Sequence, residues 1–165
     1  MLKISRIADY GVVLGTRLAA LALDDGPYGD VRSVRDLARE TGIPQPTVGK
    51  ILKQLAREGV VDSTRGARGG YRLARRPEDV TVADVIAALE GPIGVTECGP
   101  TDADHDDCEL SGRCGVRGNW QRINDAIRHA LRQISLAEMA RPEGDLVPSE
   151  LVTLGRRRAH AHEAP

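Results

Sequence analysis

The residues of this chain best suited to chemistry are its three cysteines, Cys98, Cys108 and Cys114, which share one short stretch. It reads Cys98-Gly-Pro-Thr-Asp-Ala-Asp-His-Asp-Asp-Cys108-Glu-Leu-Ser-Gly-Arg-Cys114. Thiols are ordinarily buried one at a time as small apolar side chains. Here they lie among Gly, Pro and acidic residues, a composition that predicts a loop over about 96–117. With no packing reason for thiols there, chemistry is the reason left. Three thiolates from one loop make an incomplete metal site, because a tetrahedral centre takes four ligands. Zinc could use His105 as the fourth, but the gaps between cysteines are nine and five residues, against about two to four in the usual knuckle. A thiol redox switch favours electropositive surroundings, whereas residues 97–109 hold six acids and neither Lys nor Arg. An iron–sulfur cluster is wider than a single ion and can draw ligands from a longer loop. Spacing leaves these three chemistries open.

The elements around the loop must position it. At 165 residues the chain suits one domain with an appendage, burying roughly two-thirds of its unfolded surface. Phe is absent and the aromatics are Tyr10, Tyr28, Tyr71 and Trp120. The core therefore falls to Leu, Ile, Val and Ala, which favour helices. No segment approaches the roughly twenty apolar residues of a membrane span, and the N-terminus has no signal-peptide pattern. A cytoplasmic protein with reduced thiols is the expectation, and the odd cysteine count agrees. The formal net charge of −1 conceals an uneven distribution: residues 31–80 hold eleven Lys and Arg against six acids. A basic module followed by an acidic loop says more about partners than the total does.

Residues 4–22 carry Ile4, Ile7, Ala8, Gly11, Leu14, Leu18 and Leu21 at helical spacing, and Asp24-Asp25-Gly26-Pro27 ends that helix. Ser33-Val-Arg-Asp36 is a capping-box-like start to a short helix reaching about Thr41. Thr41-Gly-Ile-Pro44 turns the chain, and a second helix runs from about Gln45 to Glu58 with Val48, Ile51, Leu52 and Leu55 inward. Two short helices across a Gly turn form a helix-turn-helix. Strands at 60–64 and 70–74, around Arg65-Gly-Ala-Arg68-Gly, follow as a hairpin whose glycines permit close approach to another surface. Thr81-Val-Ala-Asp84 begins a helix that ends near Glu90. A longer helix runs from about Asn119 to Ile134 with Trp120, Ile123, Ile127, Leu131 and Ile134 as a stripe, and Ser135-Leu-Ala-Glu138 can cap one further turn. From Arg141 the composition predicts a disordered tail.

A mainly α fold with a small β-hairpin wing follows: a winged helix-turn-helix domain plus a long C-terminal dimerisation helix. In that arrangement the second helix enters the major groove of double-stranded DNA. Gln45, Thr47 and Lys50 would face the bases, with Lys53 and Arg57 nearer the backbone. Arg65, Arg68 and Arg72 of the hairpin would lie along phosphates or a narrow minor groove. An isolated charged face is usually just solvated, but helix, Gly turn, helix and Arg/Gly hairpin in this order ask for DNA. The apolar stripe, if paired across a two-fold axis, makes a homodimer and spaces two reading helices on a palindrome. The division is 1–80 for the winged domain, 81–117 for the connecting helix and cysteine loop, 118–140 for the dimerisation helix and 141–165 for the tail. No nucleophile–base pair or Gly-rich phosphate loop points to an enzyme, and no internal repeat is present.

Three segments carry a resemblance. Leu2-Lys-Ile-Ser-Arg-Ile-Ala-Asp9-Tyr10, Gly59-Val-Val-Asp-Ser-Thr-Arg-Gly-Ala-Arg-Gly-Gly-Tyr71-Arg-Leu and Val82-Ala-Asp-Val-Ile-Ala-Ala-Leu-Glu90-Gly91 resemble the IscR/NsrR regulators of the Rrf2 superfamily. Cys108-Glu-Leu and Asn119-Trp-Gln-Arg-Ile-Asn124 are similar to its branch that regulates SUF iron–sulfur assembly. The resemblance covers about residues 1–140 and implies a homodimeric repressor or activator. Its iron–sulfur cluster, 2Fe–2S or 4Fe–4S, would be held by Cys98, Cys108, Cys114 and one ligand that is not cysteine. The His that serves in IscR-like members falls on Arg117 here. The carboxylate that NsrR-like members supply from the partner's first helix matches Asp9, with His105 as the fallback. The nine-residue first gap and Gly49 in the reading helix depart from the family pattern, so neither cluster type nor operator sequence carries over.

Overall fold

A computed structural model describes residues 4–26, 29–66, 69–96 and 114–141. The expected tail and most of the cysteine loop, Cys98, His105 and Cys108 included, lie outside the described residues, as does Arg68.

The first helix, α1 (Arg6–Asp25), begins two residues later than its apolar period, because Ser5 caps it: Ala8 N–H donates to Ser5 Oγ at 3.2 Å. It also runs past Asp24 and Asp25 to Gly26, whose φ of 117° stops it. The helix-turn-helix consists of α2 (Val34–Thr41) and α3 (Gln45–Arg57). Asp36 N–H donates to Ser33 Oγ at 3.1 Å and starts α2. Gly42 turns the chain at φ 72°, donating its N–H to Ala38 O at 2.9 Å; a side chain in this left-handed region is strained, which favours glycine.

Strands β1 (Val61–Thr64) and β2 (Gly70–Leu73) form the antiparallel hairpin, pairing Val61 with Leu73, Asp62 with Arg72, Ser63 with Tyr71 and Thr64 with Gly70. A short 3-10 turn (Pro77–Asp79) leads to α4 (Val82–Glu90), which opens on a complete capping box between Thr81 and Asp84. The long helix, α5, spans Arg117–Arg132. The apolar period continues to Ile134, but that residue lies outside the helix and its O accepts from Val82 N–H at 2.9 Å. The last turn is α6 (Leu136–Met139), capped reciprocally by Ser135 and Glu138 as its sequence predicts.

One main core holds α1 to α4, the hairpin and α6 together. Leu14 and Leu18 of α1, Leu37 of α2, Ile51, Leu52 and Leu55 of α3, Val61 and Leu73 of the hairpin and Val85 of α4 are almost wholly buried in it. Leu136 of α6 is buried in the same cluster, so the chain returns from α5 to the winged module. Gly15 makes room for that return, since a Cβ there would lie 3.0 Å from Leu136 Cδ1. Fully burying a leucine contributes about 1.5–3 kcal/mol, enough to anchor a four-residue helix that could not persist alone.

Candidate nucleic-acid interface and cysteine segment

The inward row Val48, Ile51, Leu52 and Leu55 fixes the rotation of α3 and turns its polar face outward. Gln45, Lys50, Lys53 and Arg57 are exposed and Thr47 is half-buried. Lys50, Lys53 and Arg57 follow one another at three- and four-residue spacing and share an open groove of about 460 Å³ with Ser5, Ile7 and Glu90. Gln54 Nε2 donates to Ala88 O at 3.3 Å, binding α3 to α4 from below that face. Clustered cations on an exposed helix face are the kind of surface that attracts phosphates without regard to sequence.

The wing is tied into the helix-turn-helix by a contact that local sequence pattern does not reveal. Arg32 N–H donates to Tyr71 O at 2.9 Å and Tyr71 N–H donates to Arg32 O at 2.8 Å. The residue before the α2 cap thus acts as a third strand position beside β2. Gly70 permits it: a Cβ there would lie 2.3 Å from Arg32 O. Glu40 of α2 accepts from Arg17 Nε of α1 at 2.7 Å and stands 4.0 Å from Arg32 Nε. On the hairpin, Arg65 is exposed near the tip. Arg72 is half-buried and its Nε stands 3.9 Å from Asp62 Oδ2 across the ladder, so one wing cation already has a carboxylate beside it.

Asp9 is exposed in the first turn of α1, where the helix dipole favours an acid. Cys114 is a free, half-buried thiol in the turn before α5, its carbonyl oxygen accepting from Arg117 N–H at 3.3 Å. Among the described residues no three metal-ligating side chains converge.

The stripe of α5 divides. Leu131 packs against the cluster of Ala8, Val82 and Ile86, Trp120 and Ile127 are half-buried, and Ile123 is 43% exposed. Ile127 and Leu131 line an open groove of about 640 Å³ with Ile4, Ile86, Pro92 and Ile93. Ile4 itself is 57% exposed, so the start of α1 and the outer side of α5 form one uncovered apolar region. Ile134 lies beyond the helix and is also exposed. The sequence pattern missed Asn124, which is 1% exposed with Oδ1 accepting from Val95 N–H at 2.9 Å. Its position three before Ile127 and seven before Leu131 was the available signal, hidden because amides are not counted in an apolar period.

No described helix is long and apolar enough to cross a membrane. Residues 5–142 match the family model Rrf2, described as an iron-dependent transcriptional regulator. Protein rrf2 of Nitratidesulfovibrio vulgaris is 31% identical over 88% of this chain and 94% of its own. The solved structure of CymR, the global cysteine regulator of B. subtilis, aligns at TM-score 0.62 and 28% identity, covering 85% of this chain and 97% of that one. That of T. potens IscR aligns at TM-score 0.64 and 27% identity, covering 92% and 96%. The winged fold, the cationic face of α3 and these likenesses lead to one conclusion: the chain belongs to the Rrf2 family of winged-helix, DNA-binding transcriptional regulators and is not an enzyme.

Proposed function

We propose that this regulator reports iron–sulfur status, holding a cluster through Cys98, Cys108, Cys114 and the Asp9 carboxylate of a second copy, and so controls iron–sulfur assembly genes. Family membership leaves the signal open, since the solved relatives include a cysteine regulator and an IscR protein. The observation that carries the choice is the position of the thiols. The only segment with cysteines leaves α4 and leads into α5, and Cys114 is free and half-buried at the start of that helix.

The donor set suits the group. Three thiolates and one carboxylate are hard and soft anionic ligands that iron accepts together. A cluster would supply a redox-active centre whose gain, oxidation or loss changes the charge carried by the segment holding it. Cys98 and Cys108 would hold one side, Cys114 would fix it to the start of α5, and Asp9 would reach it from the partner's α1. In this reading residues 1–80 bind DNA, 81–117 bind the cluster and 118–140 pair the two copies on a palindromic operator in the cytoplasm. The groove lined by Ile4 and Ile127, together with exposed Ile123 about one turn before Ile127, is what a second copy would cover. Gln45, Thr47 and Lys50 would face the bases and Lys53 and Arg57 the nearby backbone, with Arg65, Arg68 and Arg72 along flanking phosphates or a narrow minor groove.

Anaerobic purification tests the reading. Protein with charge-transfer absorbance and stoichiometric iron and sulfide is expected. Colourless protein carrying one zinc per chain overturns it in favour of a structural metal, and metal-free protein with a reversible disulfide favours a thiol switch.

A further inference from the structure

Asn124 is the one polar side chain buried among the described residues. It stands midway along α5 on the same side as Ile127 and Leu131, where an aliphatic residue would pack without the cost of burying an amide. Its oxygen is engaged with the backbone N–H of Val95, 29 positions earlier and 2.9 Å away. Val95 lies three residues before Cys98, and Asn124 ten after Cys114. The bond therefore ties the chain on one side of the cysteine segment to the helix on its other side.

We propose that Asn124 is a positioning residue that registers the start of the cysteine segment against α5, so that a ligand held by that segment also sets where α5 points. The far end of α5 is held separately: Val82 N–H donates to Ile134 O at 2.9 Å, Leu136 N–H donates to Val80 O at 2.8 Å, and Leu136 is buried in the core. From Asn124 to Arg132 the helix rises roughly 12 Å. With its C-terminal end anchored, a small displacement at Asn124 re-aims the half that carries Trp120 and Ile123. A buried polar bond is suited to this because it has one satisfied geometry, whereas apolar packing tolerates sliding. The inference rests on the sensor reading above, and its test separates the two.

The bond can be removed from either side in the full-length chain, by Asn124→Ala at the acceptor or Val95→Pro at the donor. The quantity to measure is the ratio of affinities of cluster-loaded and cluster-free protein for one duplex, selected from a random pool. Each single variant is expected to bring that ratio about tenfold closer to one, the ~1.4 kcal/mol scale of a buried hydrogen bond. The double variant should move it no further, and iodoacetamide should label Cys114 of cluster-free protein faster in all three. Affinity of the cluster-free chain for DNA should not change. Both singles keeping the wild-type ratio overturns the proposal. A wild-type ratio of one instead overturns the sensor reading. Should Asn124→Ala fail to fold, Val95→Pro still decides. A Val95 amide exchanging at open-chain rates in the wild-type protein overturns the proposal without any variant.

Discussion

Gly70→Ala tests how the wing is held to the helix-turn-helix. The added Cβ would stand 2.3 Å from Arg32 O, 2.6 Å from Arg32 C and 2.9 Å from Ser33 N. All three are backbone atoms, so no side chain can rotate out of the way. The strand must separate from residue 32, and both bonds of the Arg32–Tyr71 bridge, 2.9 and 2.8 Å long, are lost or stretched. At about 1 kcal/mol net for each bond the change costs about 2 kcal/mol. For a domain of this size that lowers the melting temperature by roughly 4–8 °C. Thermal denaturation at fixed protein concentration reads the loss, and hydrogen exchange at Arg32 and Tyr71 locates it. Gly118→Ala is the control. Nothing stands within 4 Å of its Cβ position, and within α5 the change should stabilise by up to about 1 kcal/mol. DNA affinity should fall with Gly70→Ala, because the wing and the Ser33 cap of α2 share this contact. A variant that melts with the wild type and keeps both amides protected refutes the steric reasoning.

Three further outcomes follow from the same geometry. Lys53→Ala, on the exposed face of α3, should weaken binding to every duplex and reduce the salt slope by about 0.9 for one lost phosphate contact; an unchanged slope removes Lys53 from the backbone. Ile127→Asp places a charge in the apolar groove beside Ile4 and should give a folded monomer in sedimentation; a dimer of unaltered stability shows that the groove is not covered by a second copy. The Ser135 backbone N–H and hydroxyl hold the Glu138 carboxyl below the usual range. Its ionised form therefore adds stability above the ordinary Glu pKa, and that contribution is lost as pH falls through the lowered value. Glu138→Gln should be less stable than wild type at neutral pH, with the gap closing in acid; a pH-independent gap rules out the ionised cap.

The winged fold was legible because its signals are local. The Ser33, Thr81 and Ser135 caps each act on a backbone N–H three residues on, and the i, i+3, i+4, i+7 spacing of Val48, Ile51, Leu52 and Leu55 fixes how α3 rotates on the core. That rotation alone exposes Lys50, Lys53 and Arg57, so the cationic outer face of α3 could be named from spacing. The helix ends were less legible. Ile134 continues the apolar period of α5, yet its carbonyl oxygen is claimed by Val82 of a distant segment, and this competition does not register in a periodicity.

Sequence alone determined the helix-turn-helix, the wing, the capped turns and the clustering of thiols, because each depends on residues within a few positions of one another. The tertiary structure decided which polar groups bond across long separations: Arg32 with Tyr71, Arg17 with Glu40, and Asn124 with Val95. It also returned α6 to the core through Leu136, converting the long helix from an appendage into a segment held at its far end. These pairings depend on where the folded backbone brings distant donors and acceptors together, and at buried Asn124 an unpaired group costs more than a paired one returns. No local pattern encodes that meeting. The chemistry of the three cysteines was visible in their spacing, while the bond that ties their segment to α5 became visible only once the chain was folded.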